Sequence, residues 1–210
     1  MNDGLSFVTD AAQLRSVLGE PTKRAATKER YALHEMDRRW IAASPFLLVA
    51  TANGQGACEV SPKGDSAGFV HIVDDTTLAI PERPGNKRAD GFHNVLSNPN
   101  VGLLFMIPGR TDTLRISGRA RIVCDAPYFD ALVTNGHRPR LALHVEICHL
   151  FHHCAKAFMR SSLWEPESWS PDALPSRAKI VQAIENPDKS LEELEAYYGE
   201  AYTRTLYAES

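Results

Sequence analysis

The loop Pro84-Gly-Asn-Lys-Arg88 carries the clearest chemical signal in this sequence of 210 residues, because it stands just before a predicted helix. Its backbone N–H groups, the Asn86 amide and the cations Lys87 and Arg88 can all donate to a phosphate, and the helix dipole adds to the attraction. The loop has neither the Walker spacing of a P-loop nor the glycine spacing of a dinucleotide-binding turn. The pattern favours another kind of anion site, and an ordinary turn before a helix is the alternative.

A second candidate surface is the predicted strand from Thr113 to Cys124, in which apolar and polar residues alternate. Arg115, Arg119 and Arg121 share one face, with alternate residues about 6.6 Å apart. Three neighbouring cations repel one another unless a negative charge lies opposite. The strand therefore predicts either contact with an anion or a solvated face with acidic partners on the next strand.

The charge distribution points in the same direction. The net charge is −3 with a pI near 6.2, which argues against a general nucleic-acid-binding protein. Residues 81–121 hold seven basic and three acidic residues, so their local charge is 7 − 3 = +4, whereas residues 185–210 carry 2 − 7 = −5. A basic centre in an acidic protein indicates a small anionic ligand.

Two further segments have weaker signals. Lys63 lies in the turn Val60-Ser-Pro-Lys-Gly-Asp65, where it either points into a cleft or is an ordinary surface lysine. The segment from His144 to Cys154 holds four histidines, but its spacing matches no zinc motif, so we predict no metal site. On a regular strand, His144, Glu146, Cys148 and His152 would share one face.

The predicted elements are mostly strands joined by short turns, with helices near both ends. Thr9 is expected to cap a first helix, in which Ala11, Leu14, Val17 and Leu18 have helical spacing and which ends at Gly19. A second helix is expected from about Thr27 to Ser44, and Ser190 and Glu193 match a capping box before a helix of the C-terminal tail. Val101–Ile107 reads as a strand buried on both faces. The predicted strands are 46–51, 56–61, 69–73, 77–80, 101–107, 113–124 and 141–151. Six or seven consecutive strands of this kind predict an antiparallel barrel or sandwich.

Composition limits the class of protein. Hydrophobic residues make up 43% and charged residues 23%, as in an ordinary globular domain. The longest apolar run is far too short for a membrane span, and no secretory signal is visible at the N-terminus. The four cysteines form no CxxC pair, so we expect reduced thiols in a cytoplasmic protein.

Taken in order, these motifs resemble the pyridoxamine 5′-phosphate oxidase-like, FMN-binding split-barrel family. The resemblance covers about residues 28–170 and is closest to a subfamily of bacterial flavoproteins. It rests on these stretches: Val-Ser-Pro-Lys-Gly-Asp (60–65), Pro-Gly-Asn-Lys-Arg (84–88), Asn-Val-Leu-Ser-Asn-Pro (94–99), Val-Gly-Leu-Leu-Phe (101–105), Leu-Arg-Ile-Ser-Gly-Arg-Ala (114–120) and His-Cys-Ala-Lys-Ala-Phe-Met-Arg-Ser-Ser-Leu-Trp (153–164).

The resemblance implies a mainly β fold, a six-stranded antiparallel split β-barrel with flanking helices. It also implies a homodimer that holds two FMN molecules in clefts between the subunits. The barrel would span residues 28–170, with an N-terminal helical extension over 1–27 and a C-terminal helical extension over 171–210.

The same resemblance assigns cofactor-binding positions. The flavin ring would lie against the strand around Glu59–Lys63, the phosphate in the loop after Pro81, and a partner segment would close the cleft. The residues that it implies are Glu59, Val60, Ser61, Lys63, Pro81, Asn86, Lys87, Arg88, Thr113, Arg115, Lys156, Arg160 and Trp164. No catalytic residue is identified.

The function that follows is an FMN-dependent oxidoreductase acting on a small molecule, with NADH or NADPH as candidate electron donors. The chain lacks the C-terminal Arg-x-His motif of true pyridoxamine phosphate oxidases, which argues against oxidation of vitamin B6. The alternatives are a flavin-binding or flavin-storing protein without turnover and, third, a haem- or metal-binding split barrel that uses the segment from His144 to Cys154. Neither nucleic acid nor membrane is expected as a partner.

Overall fold

The computed structural model describes residues 4–207; residues 1–3 and 208–210, the outer ends of the two expected extensions, lie outside the described residues. The helices of the described chain are α1 (Ala11–Leu18), α2 (Lys23–Ala26), α3 (Glu35–Ala43), α4 (Asp90–Ser97), α5 (Lys156–Arg160), α6 (Arg177–Ile184), α7 (Leu191–Tyr198) and α8 (Glu200–Thr203). The strands are β1 (Phe46–Ala52), β2 (Cys58–Gly64), β3 (His71–Asp74), β4 (Thr77–Pro81), β5 (Asn100–Met106), β6 (Thr113–Val123) and β7 (Ala142–His153).

The strands form one antiparallel sheet in the order β2-β1-β5-β6-β7-β4-β3. The sheet does not close, and helices flank it, so the expected split-barrel architecture is confirmed. The expected count of six strands is wrong by one, because the described chain has seven. The short strands β3 and β4 pair with each other, and β4 then joins the edge of β7.

The core lies on the inner face of the sheet. Leu47 pairs with Phe105, and Phe105 with Leu114, and all three side chains are fully buried. Burial on β5 follows every second residue, so Val101, Leu103 and Phe105 are buried while Leu104 and Met106 are partly exposed. The expectation that Val101–Ile107 is buried on both faces is therefore wrong for a single chain, because no element within residues 4–207 covers the outer face completely.

A β-bulge separates the two halves of β7. Ser117 pairs with His149 but Gly118 pairs with Ile147, so Cys148 is an extra residue on β7. The bulge reverses the alternation of side chains beyond it. His152 consequently pairs with the buried Leu114 and no longer shares a face with His144, contrary to the expectation from regular spacing.

Gly118 is required at this bulge by close packing. A Cβ atom added there would lie 2.5 Å from the backbone oxygen of Glu146 and 2.8 Å from a methyl group of Val145. Real Cβ atoms do not approach backbone oxygens so closely, so the two strands can approach only because residue 118 has no side chain.

The capping residue of the first predicted helix and the start of the second differ from those expected. Asp10, and not Thr9, caps α1, because its carboxylate accepts from the backbone N–H of Gln13 at 2.8 Å. The second helix begins at Glu35 instead of Thr27, since Arg30 exchanges backbone hydrogen bonds with Leu150 and holds the preceding segment extended against β7.

A buried carboxylate joins this segment to β7. Asp37 is fully buried, forms an ion pair with Arg30, and accepts a hydrogen bond from the backbone N–H of His34 at 2.8 Å. The Nε2 atom of His152 lies 3.0 Å from its Oδ1 atom. Burial alone would raise the pKa of Asp37, but these hydrogen bonds outweigh it and hold the pKa well below its usual range.

The C-terminal segment contains a helix pair with a small core of its own. The predicted capping box of Ser190 and Glu193 is present at the start of α7. Helix α6, which lies within the expected C-terminal helical extension, packs Ala178 and Val181 against Leu194 of α7. None of the helices in the described part of the chain is long and apolar enough to cross a membrane.

Candidate functional site

A cleft of about 470 Å³ opens between β2, the segment after β4 and the start of α4. Its volume lies in the range typical of small-molecule sites. The apolar lining residues Val49, Phe69 and Leu143 are buried, whereas the charged side chain of Arg88 is largely exposed. The lining residues used below are Val49, Glu59, Val60, Ser61, Lys63, Phe69, Pro81, Glu82, Arg83, Asn86, Arg88, Asp90, Phe92 and Leu143.

Strand β2 forms one side of the cleft. Ser61 and Lys63 pair with Val49 and Leu47 of β1, both buried on the inner face, so their side chains point toward the cleft. Lys63 forms an ion pair with Glu82, and its Nζ atom lies 5.4 Å from the centre of the Phe92 ring. The side chain of Lys63 is only 17% exposed. The cation therefore lies within the cleft, and the interpretation of Lys63 as an ordinary surface lysine is wrong.

The loop before α4 forms the opposite side. Lys87 and Ala89 both have left-handed backbone conformations, with φ of 60° and 56°, which turn the chain sharply into the helix. The side-chain oxygen of Asn86 accepts the backbone N–H of Arg88 at 3.1 Å and stabilises this turn. The Nε atom of Arg88 donates to the carboxylate of Asp90 at 2.8 Å. This hydrogen bond and the negative charge of the carboxylate raise the pKa of Arg88.

Arg83 is a cleft residue that the sequence analysis did not select. Its Nε atom lies 2.5 Å from the fully buried carboxylate of Asp65, and its Nη2 atom donates to the hydroxyl of Thr134 at 2.8 Å. The remaining nitrogen, Nη1, is buried and contacts no acceptor within residues 4–207. The available signal was the basic character of the loop 81–88, to which Arg83 contributes.

The cations of the cleft are balanced by acids. Lys63, Arg83 and Arg88 line it together with Glu59, Glu82 and Asp90. The basic residues that give residues 81–121 a local charge of +4 therefore do not all lie at the cleft. The other arginines of this segment lie on β6 and on the loop before it. An anionic ligand would have to exchange places with the carboxylates that now neutralise these cations.

Seven of the thirteen residues implied by the resemblance line this cleft, and six do not. The seven are Glu59, Val60, Ser61, Lys63, Pro81, Asn86 and Arg88. Lys87 lies in the same loop but does not line the cleft. The other five are Thr113, Arg115, Lys156, Arg160 and Trp164, which belong to β6, α5 and the segment after α5.

These five residues lie at the start of β6 and in the segment that follows β7. Thr113 is buried and pairs with His153 of β7. His153 is three residues before Lys156 in the chain. Arg115 is exposed on the outer face of β6, with its guanidinium 5.4 Å from the centre of the Phe151 ring. The indole nitrogen of Trp164 donates to the backbone oxygen of Arg110 at 2.7 Å. The single chain thus separates the expected site residues into two groups.

The arginine-rich face of β6 has the acidic partner that its alternative interpretation required. Arg121 forms an ion pair with Glu146 of β7, which pairs in register with Arg119. On the same strand, His144 is hydrogen-bonded to the hydroxyl of Tyr128 at 3.0 Å. Residues 4–207 contain no group of three or more histidine, cysteine, aspartate or glutamate side chains placed to hold a metal ion.

The cleft offers specific chemistry to a ligand. Arg83, Asn86 and Arg88 present guanidinium and amide N–H groups near the start of α4, the kind of donor set that binds phosphate groups. Val49, Phe69 and Leu143 provide an apolar inner part suited to a flat aromatic ring.

The fold defines a class, the split barrel, and the sequence comparison identifies the family within it. Residues 33–154 match the family model described as pyridoxamine 5′-phosphate oxidase. The match covers more than half of the chain, and the protein belongs to this family. No curated protein matches the chain.

Several solved structures are similar to the chain at low identity. HupZ from Group A Streptococcus is 18% identical over 57% of this chain and 93% of its own, with a TM-score of 0.46. An FMN-binding protein from Syntrophomonas wolfei is 14% identical over 57% of this chain and 89% of its own, with a TM-score of 0.42. HutZ, the heme storage protein from Vibrio cholerae, is 14% identical over 55% of this chain and 89% of its own, with a TM-score of 0.40.

Proposed function

We propose that the protein is an FMN-dependent oxidoreductase that acts on a small molecule and holds the flavin in the cleft between β2 and α4. The observation that carries the proposal is that Lys63, Arg83, Asn86 and Arg88, from separate segments of the chain, line the same cavity. A flavin mononucleotide needs both a cationic end for its phosphate and an apolar slot for its ring, and this cleft provides both.

The phosphate would bind at the mouth of the cleft. Arg88 and Asp90 form an ion pair in which the arginine side chain is 72% exposed. Such pairs contribute little to stability, so Asp90 can be replaced by a phosphate at small cost. The phosphate would also accept from the side-chain amide of Asn86. Hydrogen bonds of this charged type each contribute about 1.5–3 kcal/mol.

The ring would lie deeper, against β2. When bound, FMN supplies the hydride chemistry, and the protein supplies orientation and electrostatics. Lys63 would place a positive charge beside the ring, where it stabilises negative charge that develops on reduction. Glu82 holds Lys63 in that position through its ion pair, and Phe92 limits access of water to the cation.

We further propose a homodimer in which the second group of residues completes the partner's cleft. The outer face of β2, β1 and β5 is apolar and incompletely covered by its own chain, which suits it to a second copy. Its members are Phe46, Leu48, Ala50, Val60, Leu104 and Met106. Thr113, Arg115, Lys156, Arg160 and Trp164 would then reach the flavin from the other subunit. In this proposal residues 28–170 form the flavin-binding unit.

A flavin-binding protein without turnover is the second candidate. Of the acids that line the cleft, Glu82 and Asp90 are each held by a cation, and neither is free to move a proton. Haem or metal binding by the His144–Cys154 segment has less support, because His144 and His152 are engaged with Tyr128 and Asp37. The four free cysteines are compatible with a cytoplasmic location.

The absorption spectrum of the purified protein tests the proposal directly. Bound flavin gives two broad bands in the near ultraviolet and blue, whereas haem gives one sharp Soret band. Bleaching of the flavin bands by NADH or NADPH, followed by reoxidation with an acceptor, would distinguish an oxidoreductase from a carrier. A protein that binds neither FMN nor riboflavin in fluorescence titrations would contradict the proposal.

The variant Arg88→Ala tests whether the phosphate of FMN binds at Arg88. We expect the variant to bind FMN about tenfold or more weakly and to bind riboflavin with nearly unchanged affinity, because riboflavin lacks the phosphate. Arg138→Ala is the matched control, since Arg138 is also ion-paired at the surface but does not line the cleft. Equal weakening of both flavins would mean that Arg88 maintains the loop and does not contact the phosphate.

A further inference from the structure

A group of basic side chains surrounds the ring of Phe151, and none of its members lines the cleft. The Nζ atom of Lys28 lies 4.2 Å from the centre of this ring, and the guanidinium carbon of Arg115 lies 5.4 Å from it. The ring of His153 packs against the same phenylalanine, with 5.9 Å between the ring centres. We call Lys28, Arg115 and His153 the Phe151 cluster. Its members come from three separate segments of the chain.

Strand pairing and hydrogen bonds hold this cluster together. Backbone hydrogen bonds of Arg30 hold the segment before α3 along β7. The ammonium group of Lys28 donates to the backbone oxygen of His152 at 3.2 Å. Arg115 pairs in register with Phe151 across β6 and β7. The positions of the basic groups are therefore set by the fold.

The Phe151 cluster has no acidic counterpart. In the described residues 4–207, none of its three members forms an ion pair with a carboxylate. Strand β5, the other neighbour of β6, has no acidic residue. The single acid of β7, Glu146, pairs in register with Arg119 in the second half of β6. Glu29 follows Lys28 in the chain and forms no ion pair with it. The positive charge of this cluster is therefore not neutralised by its own chain.

The protonation of His153 reflects this excess of positive charge. Partial burial lowers the pKa of His153, and the charges of Lys28 and Arg115 lower it further. A neighbouring carboxylate would have the opposite effect, because a negative charge favours the protonated imidazole. The environment of the cluster therefore opposes a further positive charge and attracts a negative one.

We propose that Lys28, Arg115 and His153 form a second anion site, which binds the carboxylate or phosphate group of a small-molecule ligand. An ammonium group, a guanidinium and an imidazole N–H can each donate to the oxygens of one anion, and hydrogen bonds with charged donors are the stronger ones. The Phe151 ring shields one side of both cations from water, which strengthens their attraction for an anion.

This site deepens the proposed function by naming a class of substrate. Arg115 pairs in register with Leu104, which lies on the outer face assigned to the proposed dimer interface. The cluster would then lie at the edge of that interface, beside the flavin of the partner subunit, where a substrate must bind. That the anion is a group of the substrate rests on the proposed function, whereas the anion site itself does not.

Titration with sulfate tests the site without flavin, because sulfate is a dianion throughout the pH range in which histidine titrates. The imidazole resonance of His153, assigned by its loss in His153→Gln, is followed by NMR at increasing sulfate and constant ionic strength. We expect saturating sulfate to raise the pKa of His153 by about 1. Lys28→Met should require about tenfold more sulfate for the same effect. Lys23→Met, at an exposed lysine of α2, is the matched control and should behave as wild type.

Two outcomes of this titration would overturn the inference. The first is a pKa of His153 that does not respond to sulfate. The second is a pKa that stands above the ordinary value of about 6.5 before sulfate is added, because a carboxylate of a second copy would then occupy the cluster.

Fluorescence titrations with FMN and riboflavin separate this site from that of the cofactor's phosphate. Lys28→Met should bind both flavins within about twofold of the wild-type affinity, because the proposed phosphate site lies at Asn86 and Arg88. A loss of FMN affinity with riboflavin unchanged would mean that the cluster binds the phosphate of FMN, and the inference would be wrong.

The FMN-loaded protein tests the assignment to the substrate. Sulfate should change the absorption spectrum of the bound flavin, and Lys28→Met should require about tenfold more sulfate for this change. Sulfate that acts on His153 without changing the flavin spectrum would overturn the assignment. If the purified protein binds no flavin while sulfate still raises the pKa of His153, the anion site stands and only the proposed function is contradicted.

Discussion

Lys63 and Glu82 form an ion pair inside the cleft, although 19 positions separate them in the sequence. The pair places a cation from β2 beside an acid from the segment after β4, and the Phe92 ring of α4 has its centre 5.4 Å from the Lys63 Nζ atom. The three elements that surround the cleft thus meet at this one contact. The charge beside the proposed ring position depends on the balance between these two residues.

Lys63→Met should lower the reduction potential of the bound flavin. The variant removes the cation that would stabilise negative charge on reduction and leaves Glu82 without its partner. We expect a decrease of about 30 mV or more, since 30 mV corresponds to about 1.4 kcal/mol for a two-electron couple. The potential is measured by equilibration with a reference dye. Glu82→Gln is the control and should shift the potential upward; an unchanged potential in Lys63→Met would place Lys63 away from the ring.

Leu104→Glu should convert a dimer into a monomer. Leu104 lies at the centre of the partly exposed outer face of β5, and a charge there cannot be buried between two copies without a large desolvation cost. Light scattering of the wild type should give about twice the monomer mass of 23.2 kDa, and the variant should give the monomer mass. The flavin should also dissociate, because the partner's residues are lost.

The control for this substitution is Ile184→Glu, at a residue that is 73% exposed on α6. It introduces the same charge in place of an apolar side chain and should leave the mass and the flavin unchanged. A wild-type protein that is monomeric while carrying FMN would contradict the proposed composite site.

Asp37→Asn should destabilise the protein by about 3 kcal/mol at neutral pH, because it breaks a buried ion pair and leaves Arg30 without its partner. The pKa of Asp37 is lower in the folded state than in the unfolded state. Its contribution is therefore fully present above the unfolded-state value near 4 and is lost as the pH falls toward the folded-state value.

Urea unfolding of wild type and variant at several pH values checks this prediction. The difference in unfolding free energy should be largest near neutral pH and should shrink as the pH falls below about 4. Asp188→Asn, at an exposed position of the C-terminal segment, should have little effect at any pH. A difference that is independent of pH would assign the loss to packing instead of charge.

Gly118→Ala should destabilise the fold by about 1–3 kcal/mol, because the added methyl group collides with the backbone of Glu146 and the two longest strands must separate. Gly54→Ala serves as the control, since a Cβ atom there would make only ordinary contacts at 3.8 Å or more. Thermal unfolding of both variants gives the comparison. Equal effects would show that the bulge can relax around a side chain at residue 118.

Local sequence patterns were sufficient to predict much of the fold. The alternation in β6 correctly predicted which face carries the arginines, because strand geometry alone assigns successive residues to opposite sides. The capping box at Ser190 could also be predicted from the sequence, because its hydrogen bonds join residues only three positions apart. The turn before α4 also lies within one short segment, and its donors were identified from residue type and order.

Features that depend on contacts between residues far apart in the sequence were decided by the tertiary structure. The bulge at Cys148 reverses the faces of the histidines on β7, and it arises from the fit between β6 and β7 and not from any local signal. Arg83 became a candidate only when Asp65, Thr134 and Tyr207 came together around it from separate parts of the chain. The sequence by itself determined most of the strands and the basic loop before α4, because these follow from neighbouring residues. Which donors share one cleft was determined by the folding of the sheet, because that depends on contacts between residues far apart in the chain.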